Sequence, residues 1–184
     1  MKAKGTAVKS IESFVKEKYS QQYNDWLHAL PEDSRKLFMN GIKTNEWYDV
    51  NQAIIVPTQK MMELFYGNDL KGAWENGRYG AEKALKGIYK IYVKATTPYH
   101  IIERAGRAFA AYYSDSDIST QNKQKNSVDF IIEYMPIAND IIEHRIGGWC
   151  QKALEISGCK NVQVKTLESL TRKDKRTIYK LSWE

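Results

Sequence analysis

Through residue 113, apolar side chains recur at steps of three and four, the spacing that lines one face of a helix. Val8, Ile11, Phe14, Val15 and Tyr19 mark a first amphipathic helix, with Thr6 placed to cap it. A second carries Tyr23, Trp26, Leu27 and Leu30 and is stopped by Pro31. A short third runs from Glu32 to Phe38, Gly41 follows, and the chain is expected to turn through Asn45-Glu-Trp-Tyr-Asp-Val50. Pro57 interrupts the next apolar stretch near its start. The expected helix is therefore Thr58 to Tyr66, ended by Gly67-Asn68. Pro98 opens another, with Ile101, Ile102, Ala105, Phe109 and Tyr112 along one side.

Beyond residue 116 the period shortens. Val128, Phe130, Ile132 and Tyr134 alternate with polar neighbours, which predicts a strand with one face on a core. Asp117 to Gln121 is its weaker partner, across a turn at 122–126. Ile142, Ile146, Trp149 and Ala153 return to helical spacing in a segment ending at Gly158, and two strands close the chain, Asn161 to Leu167 and Thr177 to Trp183. The fold class expected is α+β: an N-terminal helical part, 1–115, followed over 116–184 by a β-β-α-β-β four-stranded antiparallel sheet. The two parts are read as one domain, 1–184, with no internal repeat, low-complexity tract or linker.

The segment from Asp69 to Leu85 breaks the ordinary helical composition. Gly72, Gly77, Gly80 and Gly87 lie in it or just past it, although an interior glycine costs a helix about 1 kcal/mol. Ala73, Gly77, Gly80, Ala84 and Gly87 fall at steps of four and three, so small residues share one face. That arrangement serves close approach of a neighbouring helix or of a ligand. A phosphate loop is excluded, because no strand precedes it and no Gly-Lys-Ser/Thr follows. A membrane helix pair is excluded by Lys71, Glu75, Arg78, Glu82 and Lys83. Tight packing is the favoured reading.

Composition narrows the function classes. The 184 residues are 42% hydrophobic and 27% charged, ordinary for a globular protein of a size that buries a substantial core. No apolar run of about 18 residues is present to cross a membrane. The N-terminus lacks the apolar stretch of a secretory signal, so the cytoplasm is the expected location. Cys150 and Cys159 are too few for a disulfide framework, and their spacing matches no common zinc module. The net charge of +6 draws on Arg172, Lys173, Lys175, Arg176 and Lys180 near the C-terminus. A single-strand nucleic-acid groove would interleave such charge with aromatics on one face. Here a solvated hairpin tip is expected instead, and no nucleic-acid partner. For nucleophilic catalysis the sequence has no Gly-x-Ser-x-Gly, and Cys150 sits beside an apolar helix stripe where cysteine acts as a small hydrophobe. Asp115 and Asp117 are read as turn residues. The chain is not expected to be an enzyme.

Several short motifs carry a resemblance. Lys4-Gly5 precedes an amphipathic helix ending Glu17-Lys18-Tyr19, and Trp26 follows. Leu30-Pro31, Trp47-Tyr48, Gly87-Ile88-Tyr89, Pro98 and the closing Tyr179-x-x-x-Trp183 extend it along nearly the whole chain. With the helices-then-β-β-α-β-β order, these positions resemble a family of uncharacterised bacterial proteins of the heme-NO-binding-like superfamily. The four-vinyl-reductase-type ligand domains and the TRAPP vesicle-tethering subunits are more distantly similar. The resemblance implies a sensor fold whose ligand lies between helices and sheet. In heme-NO-binding proteins a histidine ligates iron, and a Tyr-x-Ser-x-Arg strand motif meets the propionates. His100 lies at about the matching place in this chain. The strand segment, however, is Tyr134-Met-Pro-Ile-Ala138, where proline and alanine replace the serine and arginine. The distant relatives' hairpin cysteines are also missing from the segment 169–177.

Helical periodicity bears on the histidines independently. At about 100° per residue, His100 falls with Arg104 and Arg107, opposite Ile102, Ala105 and Phe109. His144 falls opposite Ile142 and Ile146, and His28 away from Leu27 and Leu30. No heme, metal or other cofactor is therefore expected. Aromatics are the richest remaining signal, with five Trp, twelve Tyr and five Phe. Trp47, Trp74, Tyr79, Tyr89 and Trp149 are the candidate ligand-binding residues, with core packing as the alternative for each. The function expected is a sensory or regulatory domain taking a small apolar ligand. The alternative is an interaction module that dimerises or meets a signalling partner without a ligand.

Overall fold

The change of period is realised as two regions in a computed structural model, which describes residues 1–85 and 97–184. Tyr89 and Gly87 fall outside those residues. The chain opens with β1 (Lys2–Lys4) and α1 (Gly5–Lys18), followed by α2 (Tyr23–Ala29) and α3 (Glu32–Met39). After β2 (Trp47–Asp49) come α4 (Val56–Phe65), α5 (Lys71–Ala84) and α6 (Pro98–Tyr112). The second region consists of β3 (Asp117–Gln124), β4 (Ser127–Tyr134), α7 (Asp140–Ile156), β5 (Gln163–Glu168) and β6 (Thr177–Ser182). Its four strands are all antiparallel, as the sequence pattern predicts, and they lie in the order β3-β4-β6-β5. Phe130 on β4 stands opposite Tyr179 on β6, and both are buried, Phe130 edge-on to Phe109 of α6 and Tyr179 donating its hydroxyl to the Glu143 carbonyl of α7.

Three local features depart from the sequence expectation. The segment expected as a turn contains β2, which pairs with β1 in a small antiparallel sheet, Ala3 opposite Tyr48. Ala3 also bridges to Tyr113, so β1 ties the start of the chain to the end of α6. Helix α4 begins before Pro57, not after it, because a proline in the first turn lacks only an N–H that would have no helical partner. A π-helical turn over Asn51–Ile55 leads into it, and the Pro57 carbonyl accepts the indole N–H of Trp26 at 3.0 Å. Thr6 lies inside α1, where its hydroxyl donates to the Thr44 carbonyl; Lys4 holds the cap position.

Helix α7 joins the two regions. Asn139 caps it, accepting from the Ile141 N–H, and Gly158 takes a positive φ just past its end. Ile142, Ile146, Cys150 and Leu154 are fully buried along it, within one core cluster that includes residues of both regions. Trp149, which the helical spacing groups with Ile142 and Ile146, is only partly buried and meets α6, edge-on to Phe109 at 5.2 Å. The glycine stripe of α5 packs on α7. A Cβ on Gly77 would overlap the Arg145 carbonyl, and one on Gly148 would overlap that of Trp74. Only glycine at both positions lets the two backbones approach so closely.

Candidate functional site

Next to this crossing, the packing opens. Gly80 lies about one turn beyond Gly77, and its nearest neighbour is Cδ1 of Trp149, 3.6 Å from where a Cβ would stand. A cavity of about 60 Å³ occupies this place between α1, α5, α6 and α7. Gly77, Gly80, Phe109 and Trp149 provide apolar wall. Ser10, Asn76, Tyr113 and Arg145 provide its polar part.

Arg145 is the unusual member. It stands at steps of three and four from Ile142 and Trp149, inside the apolar stripe of α7, and is only 6% exposed. Its Nη1 donates to Thr58 Oγ1 at 3.3 Å, and its Nη2 to the Ala7 carbonyl at 3.3 Å and Ser10 Oγ at 3.2 Å. No carboxylate among the described residues pairs with it. The remaining segment, 86–96, reads Lys-Gly-Ile-Tyr-Lys-Ile-Tyr-Val-Lys-Ala-Thr and contains no acidic residue at all. Burial pushes the Arg145 pKa below the ordinary arginine value, with the Tyr113 hydroxyl opposing. A guanidinium nevertheless keeps its proton in proteins. Burial also pushes the Tyr113 hydroxyl up, with Arg145 opposing. Asn76 adds a second irregularity. It is 0% exposed, its Nδ2 reaches the Ser10 carbonyl at 3.5 Å, and its Oδ1 has no donor among the described residues.

Of the aromatic candidates, Trp149 lines this cavity. Trp47 is 41% exposed on β2, with the Lys4 ammonium 4.8 Å from its ring centre, remote from the cavity. Trp74 lies over Gly147 and donates its indole N–H to Gln151 at 2.9 Å. Tyr79 is core, edge-on to Phe14 at 5.3 Å. Tyr89 lies outside the described residues. Aromatic content alone does not say which side of an element a ring takes, so these positions scatter. The polar residues of the site left a fainter trace: Arg145 is a charge within a stripe of isoleucines.

The histidines do not reach the cavity. His100 and His28 are exposed, and Thr97 Oγ1 holds the His100 Nδ1 at 3.0 Å. His144 is tied by Nδ1 to the Asp140 carbonyl at 2.8 Å. Tyr134, expected on the core face of its strand, is 58% exposed at the strand's end, just before Pro136. Burial pushes the Cys150 thiol pKa up, which opposes thiolate chemistry. A porphyrin needs far more than the cavity's 60 Å³; small-molecule pockets start at about 300 Å³. Heme does not fit these residues as they are arranged.

Two other grooves carry internal pairs. At the β5–β6 hairpin, Arg176 pairs with Glu133 at 3.6 Å and Glu168 at 3.5 Å, and Arg172 with Asp174 at 3.8 Å. On the sheet side of α7, Glu143 accepts the Ser169 hydroxyl at 2.6 Å and that of Thr177.

The fold matches a known group. An H-NOX protein from S. oneidensis in the Fe(II)NO ligation state superimposes with a TM-score of 0.74 and 12% identity, covering 98% of this chain and 99% of that one. The Fe(II) unliganded H-NOX protein from K. algicida gives 0.69 at 10% identity, covering 98% and 96%. A T. Tengcongensis H-NOX variant gives 0.66 at 13%, covering 98% and 97%. No protein-family model matches the sequence, and no curated protein does. The chain therefore has the α+β fold of the heme-NO-binding domains, while at these identities the likeness extends to the fold alone.

Proposed function

We propose that this chain is a sensory or regulatory domain that binds a small ligand in the cavity between α1, α5, α6 and α7, without catalysis and without heme. The observation that carries the reading is the cavity itself. It has apolar walls at Gly80, Phe109 and Trp149, and lies where the helical region meets α7, the helix that also packs on the sheet. A ligand there would touch four helices at once, so occupancy would bias their relative positions, which is what a sensor requires. The structural neighbours are described as Fe(II) and Fe(II)NO proteins; in this chain the reading replaces that iron-bound function with a smaller ligand held by side chains.

Hemin titration of the purified protein, followed in the Soret region, tests the heme clause. The expected result is no sharp stoichiometric band. A stoichiometric band abolished by His100→Ala would overturn it. Native mass spectrometry of the protein from its own host tests the ligand clause, and a bound small mass released on unfolding is the expected outcome.

A further inference from the structure

We propose that the ligand of this cavity is a small monocarboxylate, seated on the Arg145 guanidinium with its short apolar body against Gly80, Phe109 and Trp149. The inference rests on the reading of the cavity as a ligand site and adds its chemistry. Its first support is charge. Arg145 is buried, permanently positive, and without a carboxylate among the described residues, and the segment 86–96 has none to offer. Transferring an unpaired ion into a protein interior is strongly unfavourable. One negative charge is what the site lacks.

Geometry and size narrow the class. A guanidinium has five N–H donors, and protein acceptors take at most three, so at least two remain. A planar fork of N–H groups suits a carboxylate, which accepts two parallel bonds. A cavity of 60 Å³ holds about four to six water-sized groups. That is an acid of two to four carbons, and too little for a phosphate ester. The apolar walls favour an organic body over a bare halide. A second, independent observation is Asn76, whose buried Oδ1 lacks a donor. Asn76 and Arg145 both line the cavity and both contact Ser10, Asn76 at its carbonyl and Arg145 at its hydroxyl, so the Asn76 amide belongs to the same polar wall as the guanidinium. A 2-hydroxy acid would give its hydroxyl proton to Asn76, and a simple acid would leave room for a bridging water.

The test measures melting temperature and calorimetric binding on the full chain with sodium propionate and sodium lactate. Sodium chloride at equal ionic strength and neutral propionamide are the controls. Ligand that binds the folded state alone raises the melting temperature with concentration. The expected result is a rise with propionate and lactate, with little or none for chloride or propionamide. Arg145→Met and Arg145→Gln should each weaken carboxylate binding by about tenfold or more, with the circular dichroism spectrum unchanged. Gly80→Leu, which fills the space and keeps the charge, should abolish the response. Equal stabilisation by propionamide, insensitive to Arg145→Met, would overturn the carboxylate while leaving the cavity as the ligand site. Equal stabilisation by chloride would overturn it as an adventitious ion only. Silence from every probe, with no ligand mass found in the host protein, would overturn both readings.

Discussion

Glu143 and Arg145 stand two residues apart, and so on opposite faces of α7, buried to almost the same degree at 5% and 6% exposure. Toward the sheet, the polar group is completed. Ser169 and Thr177 donate their hydroxyls to the Glu143 carboxyl, the Tyr179 hydroxyl donates to its carbonyl at 2.9 Å, and Thr171 donates to Asp140 at 2.7 Å. Toward the helices, Arg145 meets three neutral acceptors at 3.2–3.3 Å and no opposite charge. The contrast follows from what each neighbour can offer. The β5–β6 connection brings a cluster of short hydroxyl side chains, each free to turn its proton. The helices offer one backbone carbonyl and two hydroxyls at the limit of good distance. A buried polar group with a finished network belongs to the architecture, and one left unfinished calls for a separate explanation, which the proposed ligand would supply.

The comparison assumes that α7 is held rigidly against α5, and the largest expected effect tests that assumption. Gly77→Leu should cost about 3 kcal/mol or more, at or past the upper end of ordinary overpacking, because its first side-chain atom meets backbone rather than a movable side chain. Gly80→Ala, on the same helix, would place its Cβ in ordinary contact 3.6 Å from Trp149 and should leave stability unchanged or raise it by up to about 1 kcal/mol. Urea melts of the pair decide it; a loss under about 1 kcal/mol for Gly77→Leu would dissolve the crossing as the organising contact.

Next in size is the contrast between the two buried charges. Glu143→Leu should cost about 2–3 kcal/mol, since two buried hydroxyls lose their acceptor. The Arg78–Glu155 clamp, which ties α5 to α7 at 2.8 and 2.9 Å, should be worth about 1 kcal/mol, given its partial exposure to solvent. Burial is the strongest single influence on Glu155 and would raise its pKa, but the hydrogen bonds and charges of Arg78 and Lys152 together outweigh it, and the net shift is downward. A carboxyl depressed in the folded state stabilises above its unfolded pKa and loses that contribution as pH falls through the folded one. The cost of Arg78→Ala should therefore fall as the pH is lowered through the folded carboxyl's depressed pKa, down to the part owed to the Gln151 hydrogen bond, measured by thermal melts across the acid range. Smallest of all is Arg145→Met. Its stability in the absence of added ligand should stay within about 1 kcal/mol of the parent or exceed it. A loss as large as that of Glu143→Leu would mean that both faces are equally finished, and the distinction between them would fail.

The long elements were legible because their period is a direct image of their packing. The α6 stripe from Ile101 to Phe109 and the order of elements after residue 116 came from spacing alone, and the same spacing placed His100 on the exposed side. Strands β1 and β2 were not legible, since three residues show no alternation and their pairing joins distant segments. The site was half visible. Close packing of the α5 glycines follows from their spacing, but which of them meets backbone and which meets open space depends on where α7 crosses. Arg145 stands in a row of isoleucines, a signal plain in the sequence, whereas the idle oxygen of Asn76 is visible only in three dimensions.

The double engagement of β1 has a consequence for synthesis. Ala3 is fully buried between Tyr48 and Tyr113, and both partners lie downstream of it. At about 5–20 residues per second, Tyr113 leaves the ribosome on the order of ten seconds after Ala3. For that interval the first strand emerges with an edge that nothing yet covers, while α1 to α5 already have partners to collapse upon. An unpaired edge is the usual route to wrong pairing between nascent chains. A strand made before all its partners is thus among the last to be seated, and the rate of translation between residues 49 and 113 sets how long it waits.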